Sequence, residues 1–237
     1  NASWGSLFHG ALMELFPPEM ASELHHSTLK PWSQYLSVSR DGKIRWVLNT
    51  LSDEMTESVE KYLIGILPCN WILKQKGFAI RLDVPERIEK ISYRELADQT
   101  FSRKETARRT HLIFQVPTTF KTAGDYVLFP SMDLIFNSLA QKWDAFSSEI
   151  SLSDMDVRQH LGSHIQIRKY QLRSAPFSVD GAWITGFEGR LELSFRGPEA
   201  LCRVADLLLL FGKYSGIGIK TALGMGGIEY EEPSLIL

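Results

Sequence analysis

Five of the twelve residues from Gly216 to Gly227 are glycine, in the order Gly216-Ile217-Gly218-Ile219-Lys220-Thr221-Ala222-Leu223-Gly224-Met225-Gly226-Gly227. Glycine lets backbone N–H groups approach an anion closely, and Lys220 adds a positive charge in the middle of the run. The chemistry such a loop suits is the cradling of phosphate. It is neither of the common nucleotide-binding loops. A dinucleotide fingerprint needs glycine at Thr221 and a strand before the loop, and a P-loop needs glycine where Ile219 stands. The apolar residues between the glycines point to a shaped loop that packs on one side and meets a phosphate backbone on the other. Gly216, Gly218, Lys220, Gly224 and Gly226 are its candidate contacts.

A second basic region precedes it. From Val157 to Val179 there is no acid, while Arg158, Arg168, Lys169 and Arg173 are cationic. Leu207 to Ile228 is also free of acids. The 26 Lys plus Arg and 28 Asp plus Glu give a net charge of −2, but their segregation allows a basic face. Arg168 and Lys169 are candidate polyanion contacts. His160 and His164 have the i, i+4 spacing of metal ligands, yet Gly162 weakens a helix there and no third ligand lies close in sequence, so no metal is expected. The Arg103-Lys104-Glu105-Thr106-Ala107-Arg108-Arg109 run reads as a solvated linker, with backbone contact to a polyanion as the minor reading. Trp32, Tyr35, Tyr170 and Trp183 have the rings to stack on bases, although core packing is expected for most of them.

These groups must be held by a folded scaffold. The chain has 237 residues, 44% of them hydrophobic, which excludes a disordered or collagen-like chain and provides a core. Two cysteines, Cys69 and Cys202, exclude a disulfide scaffold. No apolar run approaches the roughly 18 residues of a membrane span, and no secretory signal is visible, so a cytoplasmic setting is expected. Leu7, Phe8, Ala11, Leu12, Leu15 and Phe16 repeat at helical spacing up to Pro17-Pro18. Strands are expected at 33–39 and 43–49 around a turn at Arg40-Asp41-Gly42, then a helix after Ser52, then strands near 71–73 and 78–84. The second half reads strand (111–121, with Pro117 making it an edge or a bent strand), helix (131–146), two strands (165–174 and 183–196), helix (199–214, started by Pro198) and strand (227–231). That order is the ferredoxin-like unit. The fold class is therefore α+β: two tandem ferredoxin-like domains with antiparallel sheets, 1–110 and 111–237, joined near 100–110. The first unit lacks its opening strand, which is expected upstream of Asn1.

The glycine loop resembles that of the CRISPR repeat-RNA processing endoribonucleases, members of the RAMP superfamily. Two further stretches are similar to that family. Thr119-Phe120-Lys121-Thr122-Ala123-Gly124-Asp125-Tyr126-Val127-Leu128-Phe129-Pro130, followed by the helix with Ser138, Leu139 and Trp143, resembles the opening of its second domain. Leu24-His25-His26-Ser27-Thr28-Leu29-Lys30-Pro31-Trp32-Ser33 resembles its Leu-His segment ahead of a Lys-Pro-aromatic-Ser strand start.

The resemblance implies cleavage of CRISPR repeat RNA without a metal or other cofactor: the 2′-OH attacks the adjacent phosphate, leaving a 2′,3′-cyclic phosphate and a free 5′-OH. This chemistry asks for a base, an acid and a cation, and imidazole serves either proton role near neutral pH. The family's Leu-His position falls on His25 and its following cation on Lys30. His9, on the flank of the first helix's apolar stripe, stands where members often carry a second His or Tyr. His26 is the alternative catalyst if the register differs by one residue. The implied partners are CRISPR repeat RNA and other CRISPR effector-complex proteins, with no membrane, the protein being a monomer or homodimer. The other reading is an inactive relative that holds guide RNA in an effector complex.

Overall fold

The computed structural model describes residues 4–38, 42–104, 108–152, 161–179 and 181–231. Helix α1 (Gly5–Met13) buries Leu7, Phe8, Ala11 and Leu12, the predicted stripe. A second helix, α2 (Pro18–His26), follows at once, with Pro18 in its first turn, where a missing N–H costs nothing. Periodicity does not reveal α2, because Leu24 is its one buried residue and no apolar stripe exists to read.

Strands β1 (Trp32–Val38) and β2 (Ile44–Thr50) form an antiparallel hairpin, Trp32 opposite Thr50. Of the expected turn, Gly42 has φ +80° and Arg40-Asp41 lie outside the described residues. Helix α3 (Asp53–Tyr62) starts at Ser52, whose Oγ accepts from the Met55 N–H at 3.3 Å. Strands β3 (Cys69–Leu73) and β4 (Phe78–Leu82) make a second hairpin. Among the described residues these four strands form two separate two-stranded sheets. Their core gathers Leu7, Phe8, Leu12, Trp32, Leu36, Met55 and Trp71.

Helix α4 (Tyr93–Phe101), which the sequence reading passed over, opens with a Ser92–Glu95 capping box. Strand β5 (Arg109–Thr118) follows, then the small hairpin of β6 (Phe120–Thr122) and β7 (Asp125–Val127), and helix α5 (Met132–Phe146). Strands β8 (Ile165–Val179) and β9 (Ala182–Phe195), helix α6 (Glu199–Ser215) and strand β10 (Ile228–Glu231) complete the chain. The sheet order is β10-β5-β9-β8, antiparallel throughout, as a ferredoxin-like unit requires. β5 lies inside this sheet, so of the two readings of Pro117 the bent strand holds: its register with β9 shifts between Phe114 and Thr118. Helices α5 and α6 bury Ile135, Phe136, Leu139, Trp143 and the run Leu207 to Phe211 against Leu112, Phe114, Leu191 and Leu193.

The second core reaches back across the expected junction. Leu96 and Ala97 of α4 belong to it, and Arg203 of α6 donates to the carbonyls of Thr100, Phe101 and Arg103. Arg103 is half-buried and pairs with Asp206 at 2.6 Å. Its part of the 103–109 run is therefore packed structure and not a solvated linker; residues 105–107 lie outside the described residues.

Candidate active site

The three stretches that suggested RNA processing meet in space. Ser33, closing the first of them, donates its hydroxyl to the Tyr214 carbonyl just before the glycine loop. Thr119, opening the second, accepts from the Ile219 N–H at 3.1 Å, and Ser138 Oγ accepts from the Gly218 N–H at 3.0 Å. Gln34 of β1 donates to the carbonyls of Gly5 (3.1 Å) and Ala222 (2.7 Å), while its Oε1 accepts from Trp46 Nε1 at 2.7 Å. One buried amide thus joins the start of α1, the hairpin and the glycine loop. Sequence reading missed Gln34, because a lone polar residue in a strand carries no signal of a cross-domain role.

The candidate histidines sit on the first two helices. The His9 ring stacks on the fully buried Trp32, with centroids 5.6 Å apart. His25 and His26 end α2 and are exposed, their rings edge to face at 5.6 Å. His26 Nδ1 lies 2.7 Å from the Ser22 carbonyl, whereas His25 makes no hydrogen bond through its ring to any described residue. Lys30 Nζ donates to the carbonyls of His25 (3.1 Å) and Ser27 (2.6 Å), and partial burial lowers its pKa. An ammonium has three donors, so one remains for a ligand. His9 thus meets Trp32 and Lys30 meets the His25 carbonyl, with Trp32 two residues beyond Lys30 in the chain.

The glycine loop, read as packing on one side and meeting phosphate on the other, lies largely inside the protein. Gly216, Gly218, Gly224 and Gly226 are buried, and each N–H is used inside the protein, by Gly212 O, Ser138 Oγ, Thr221 O and Pro117 O respectively. Their lack of Cβ serves close approach: a Cβ at Gly218 would stand 2.3 Å from Thr119 O, and one at Gly226 2.1 Å from Ile217 O. Ala222 packs into the core of the first half. Lys220 is the half-buried exception, with φ +58°, a left-handed conformation that non-glycine residues adopt at a cost. Its side chain has no partner among the described residues.

Lys142 is a further group that sequence reading missed, although its place beside Leu139 and Trp143 on the buried side of α5 was a signal. Its Nζ donates to Ser215 O (3.2 Å), Gly216 O (2.9 Å) and Thr221 Oγ1 (3.3 Å), and burial pushes its pKa down to about 7. It clasps the loop from within.

The basic stretch is less basic in space than along the chain. Lys169 reaches Glu192 at 3.5 Å and Arg173 reaches Glu188, both acids coming from the neighbouring β9. Arg168 keeps no such partner among the described residues. Trp32 and Tyr35 are core residues, whereas Tyr170 and Trp183 are exposed at 61% and 67%. His160 lies outside the described residues, and no helix of the described chain is long and apolar enough to cross a membrane.

Comparison with known proteins gives this geometry a family. Residues 112–228 match the family model described as CRISPR-associated endoribonuclease Cas6. Over 230 residues the chain is 34% identical to the CRISPR-associated endoribonuclease Cas6 of Streptococcus thermophilus, covering 95% of this chain and 90% of that protein. It is 30% identical to the Mycobacterium tuberculosis Cas6, covering 97% of this chain and 72% of the relative. In fold it is similar to a Thermus thermophilus Cas6 product complex, with TM-score 0.80 at 22% identity over 96% of this chain and 94% of that one. A Cas6-related protein from Pyrococcus furiosus is more distant, at TM-score 0.56 and 14% identity over 98% of this chain and 91% of that one. Two antiparallel α+β halves joined through the glycine loop, and identity at this level across nearly the whole length, lead to one conclusion: the chain belongs to the Cas6 family of CRISPR-associated endoribonucleases.

Proposed function

We propose that this protein cleaves CRISPR repeat RNA by attack of a ribose 2′-OH on the adjacent phosphate, without a metal, at a site formed by His25, His9 and Lys30. The observation that carries the reading is the convergence of the three family-like stretches around the glycine loop, in a chain 34% identical to a Cas6 endoribonuclease over 95% of its length. In the reaction a base takes the 2′-OH proton, O2′ bonds to phosphorus, the P–O5′ bond breaks, and an acid protonates O5′. The products are a 2′,3′-cyclic phosphate and a 5′-OH, with no water consumed.

The His25 ring touches His26 edge to face but gives neither nitrogen to a hydrogen bond with any described residue, which leaves both for proton transfer. Lys30, with one donor to spare, offsets charge on the phosphorane. His9, held against Trp32, is the second proton-transfer group. His26 is the alternative: a proton on Nδ1 directed at the Ser22 carbonyl leaves Nε2 as an acceptor, the form of a general base. Residues 1–110 carry these groups, and the ferredoxin-like unit 111–237 braces them through the glycine loop. Lys220, Arg168 and Lys169 are the proposed contacts to the RNA backbone, with Gly216, Gly218, Gly224 and Gly226 shaping the loop that presents Lys220.

The test is incubation of repeat RNA with EDTA and analysis of product ends. The expected result is one cut with a cyclic phosphate. His25→Ala is expected to lower the single-turnover rate by 10²-fold or more, as loss of a general acid or base does, with RNA affinity retained. Unchanged cleavage in His25→Ala overturns that role, and loss in His26→Ala instead assigns it to His26. Repeat RNA bound but uncleaved at every pH refutes the endonuclease reading in favour of an inactive RNA-binding relative.

A further inference from the structure

We propose that Arg109, Arg168 and Arg196, with Ser194 beneath them, form a second phosphate site that grips the RNA at the far end of the C-terminal sheet from the glycine loop. The proposal rests on the reading that the ligand is RNA. A depression of about 390 Å³ is lined by Arg108, Arg109, Arg168, Ser194, Phe195 and Arg196. Its construction follows from strand register. Arg109 of β5 lies directly opposite Ser194 of β9, and directly opposite residues share a face. On the other side β8 carries a bulge between Ile167 and Lys169, and Arg168 is the extra residue. Bulges re-aim side chains, and this one leaves an arginine at the pocket rim. Arg196 follows β9 and is fixed by its N–H to the His164 carbonyl at 2.7 Å.

Two observations point to an anion. Neighbouring cations on the same sheet are neutralised: Lys169 by Glu192, Arg173 by Glu188, Arg190 by Glu231. Arg109, Arg168 and Arg196 have no carboxylate partner among the described residues, although all three converge on one depression. Exposed cations brought together without counter-charge repel, and a phosphate relieves that cost while matching the guanidinium fork. Independently, Ser194 is 9% exposed, and its Oγ has no hydrogen-bond partner among the described residues. A buried hydroxyl left unpaired below three guanidiniums is a donor held for an oxyanion.

Position argues for RNA over a free phosphate. β5 runs from the pocket at Arg109 to Thr118 beside the glycine loop, a span of roughly 30 Å at strand rise. Between the two ends the same three strands carry another depression, of about 480 Å³, lined by Gln115, Gln171, Arg173 and Glu188 among others. An RNA strand leaving the candidate active site has a polar track along this face that ends on the arginines.

The test uses Arg109→Gln, Arg168→Gln and Arg196→Gln, singly and together, and Ser194→Ala. Arg108 stays, because it holds the Gly197 carbonyl and Cys202 Sγ. Repeat RNA affinity is measured from 50 to 300 mM salt, with thermal melts to verify folding. Each arginine engaged by a phosphate is expected to reduce the slope of log affinity against log salt by about 0.7 to 0.9. The triple variant is expected to bind about 10- to 100-fold more weakly at the low-salt end. Ser194→Ala is expected to weaken binding about 3- to 10-fold with the slope unchanged. RNA shortened to the nucleotides around the cut is expected to bind wild type and triple variant alike. Variants with wild-type slopes and affinities overturn the pocket, whatever the cleavage assay shows. Inorganic phosphate that raises the melting temperature of wild type only, with RNA affinity equal in both, overturns RNA as the ligand. Wild type that binds with the expected slopes but does not cut refutes the proposed catalysis and leaves the pocket standing.

Discussion

Lys142→Met tests whether an ammonium is held inside this protein at a cost in stability. Burial lowers the Lys142 pKa from 10.5 to about 7. At about 1.36 kcal/mol per unit, the charged form carries a burial penalty on the order of 5 kcal/mol. The unfolded chain keeps its proton up to about 10.5, whereas the folded protein releases it near 7, so between those values the unfolded state binds more protons and stability rises with pH. The gain is complete above 10.5 and is lost as pH falls from there to 7. From pH 7 to 9 it amounts to about 2 kcal/mol. Methionine retains the stem but leaves Ser215 O and Gly216 O without the Nζ donor, a loss of roughly 2–4 kcal/mol where the wild-type amine is neutral. The variant is therefore expected to be less stable by that amount at pH 9 and close to wild type at pH 6. Urea titrations of both proteins at pH 6, 7, 8 and 9 read the difference, in which other titrating groups cancel. At about 2–4 °C per kcal/mol, the melting gap is about 4–16 °C at pH 9 and a few degrees at pH 6. A gap that does not change with pH refutes the buried-cation reasoning. A gap that widens as pH falls shows that Lys142 gains from its charge and has an acidic partner.

Gly218→Ala is expected to cost 3 kcal/mol or more in chemical denaturation, because a Cβ would stand 2.3 Å from Thr119 O at φ +82°. Gly77→Ala, at φ +69° with nothing within 4 Å of the added carbon, is expected to cost only about 1–2 kcal/mol, and equal losses would refute the close-approach argument. Gln34→Leu strips the side-chain donor from Gly5 O and Ala222 O and the acceptor from Trp46 Nε1, and is expected to cost roughly 2–4 kcal/mol. Its single-turnover cleavage is expected to fall below wild type even at a temperature where both proteins are folded, since the start of α1, which carries His9, loses its tie to the loop.

Most of the second half was legible because its chemistry is local and periodic. Alternation along β8 and β9, the apolar side of α5, and Pro198 ahead of α6 each follow from the identities of neighbouring residues. The same logic failed at α2, whose single buried Leu24 leaves no stripe, and at α4, whose Leu96 and Ala97 pack on residues a hundred positions later. The basic stretch misled for a related reason. Lys169 and Arg173 are free of acids along the chain, but antiparallel pairing sets Glu192 and Glu188 beside them. Arg168 escapes because the bulge moves it out of that pairing. His25 and Lys30 came forward through the family resemblance; that Lys30 reaches back to the His25 carbonyl depends on how α2 ends.

The glycine loop shows how one sequence feature can serve two ends. Five glycines and a lysine between a helix and a strand read as a surface built for phosphate, and four of those glycines instead spend their N–H groups within the protein. Burial does not separate the loop from the site. The turn Thr221–Leu223 packs on β1 and α1, Ala222 lies in their core, and Gln34 holds that turn to Gly5 at the head of the helix that carries His9. Lys142 braces the same turn from the opposite side. Displacing the loop must therefore displace α1, while Lys220, strained at its outer corner, moves with it. The cation proposed to meet the RNA backbone and the histidine proposed to act at the scissile phosphate are therefore tied to one turn. Alignment of the two along an RNA strand then follows from packing inside the protein, and the glycines act through that alignment.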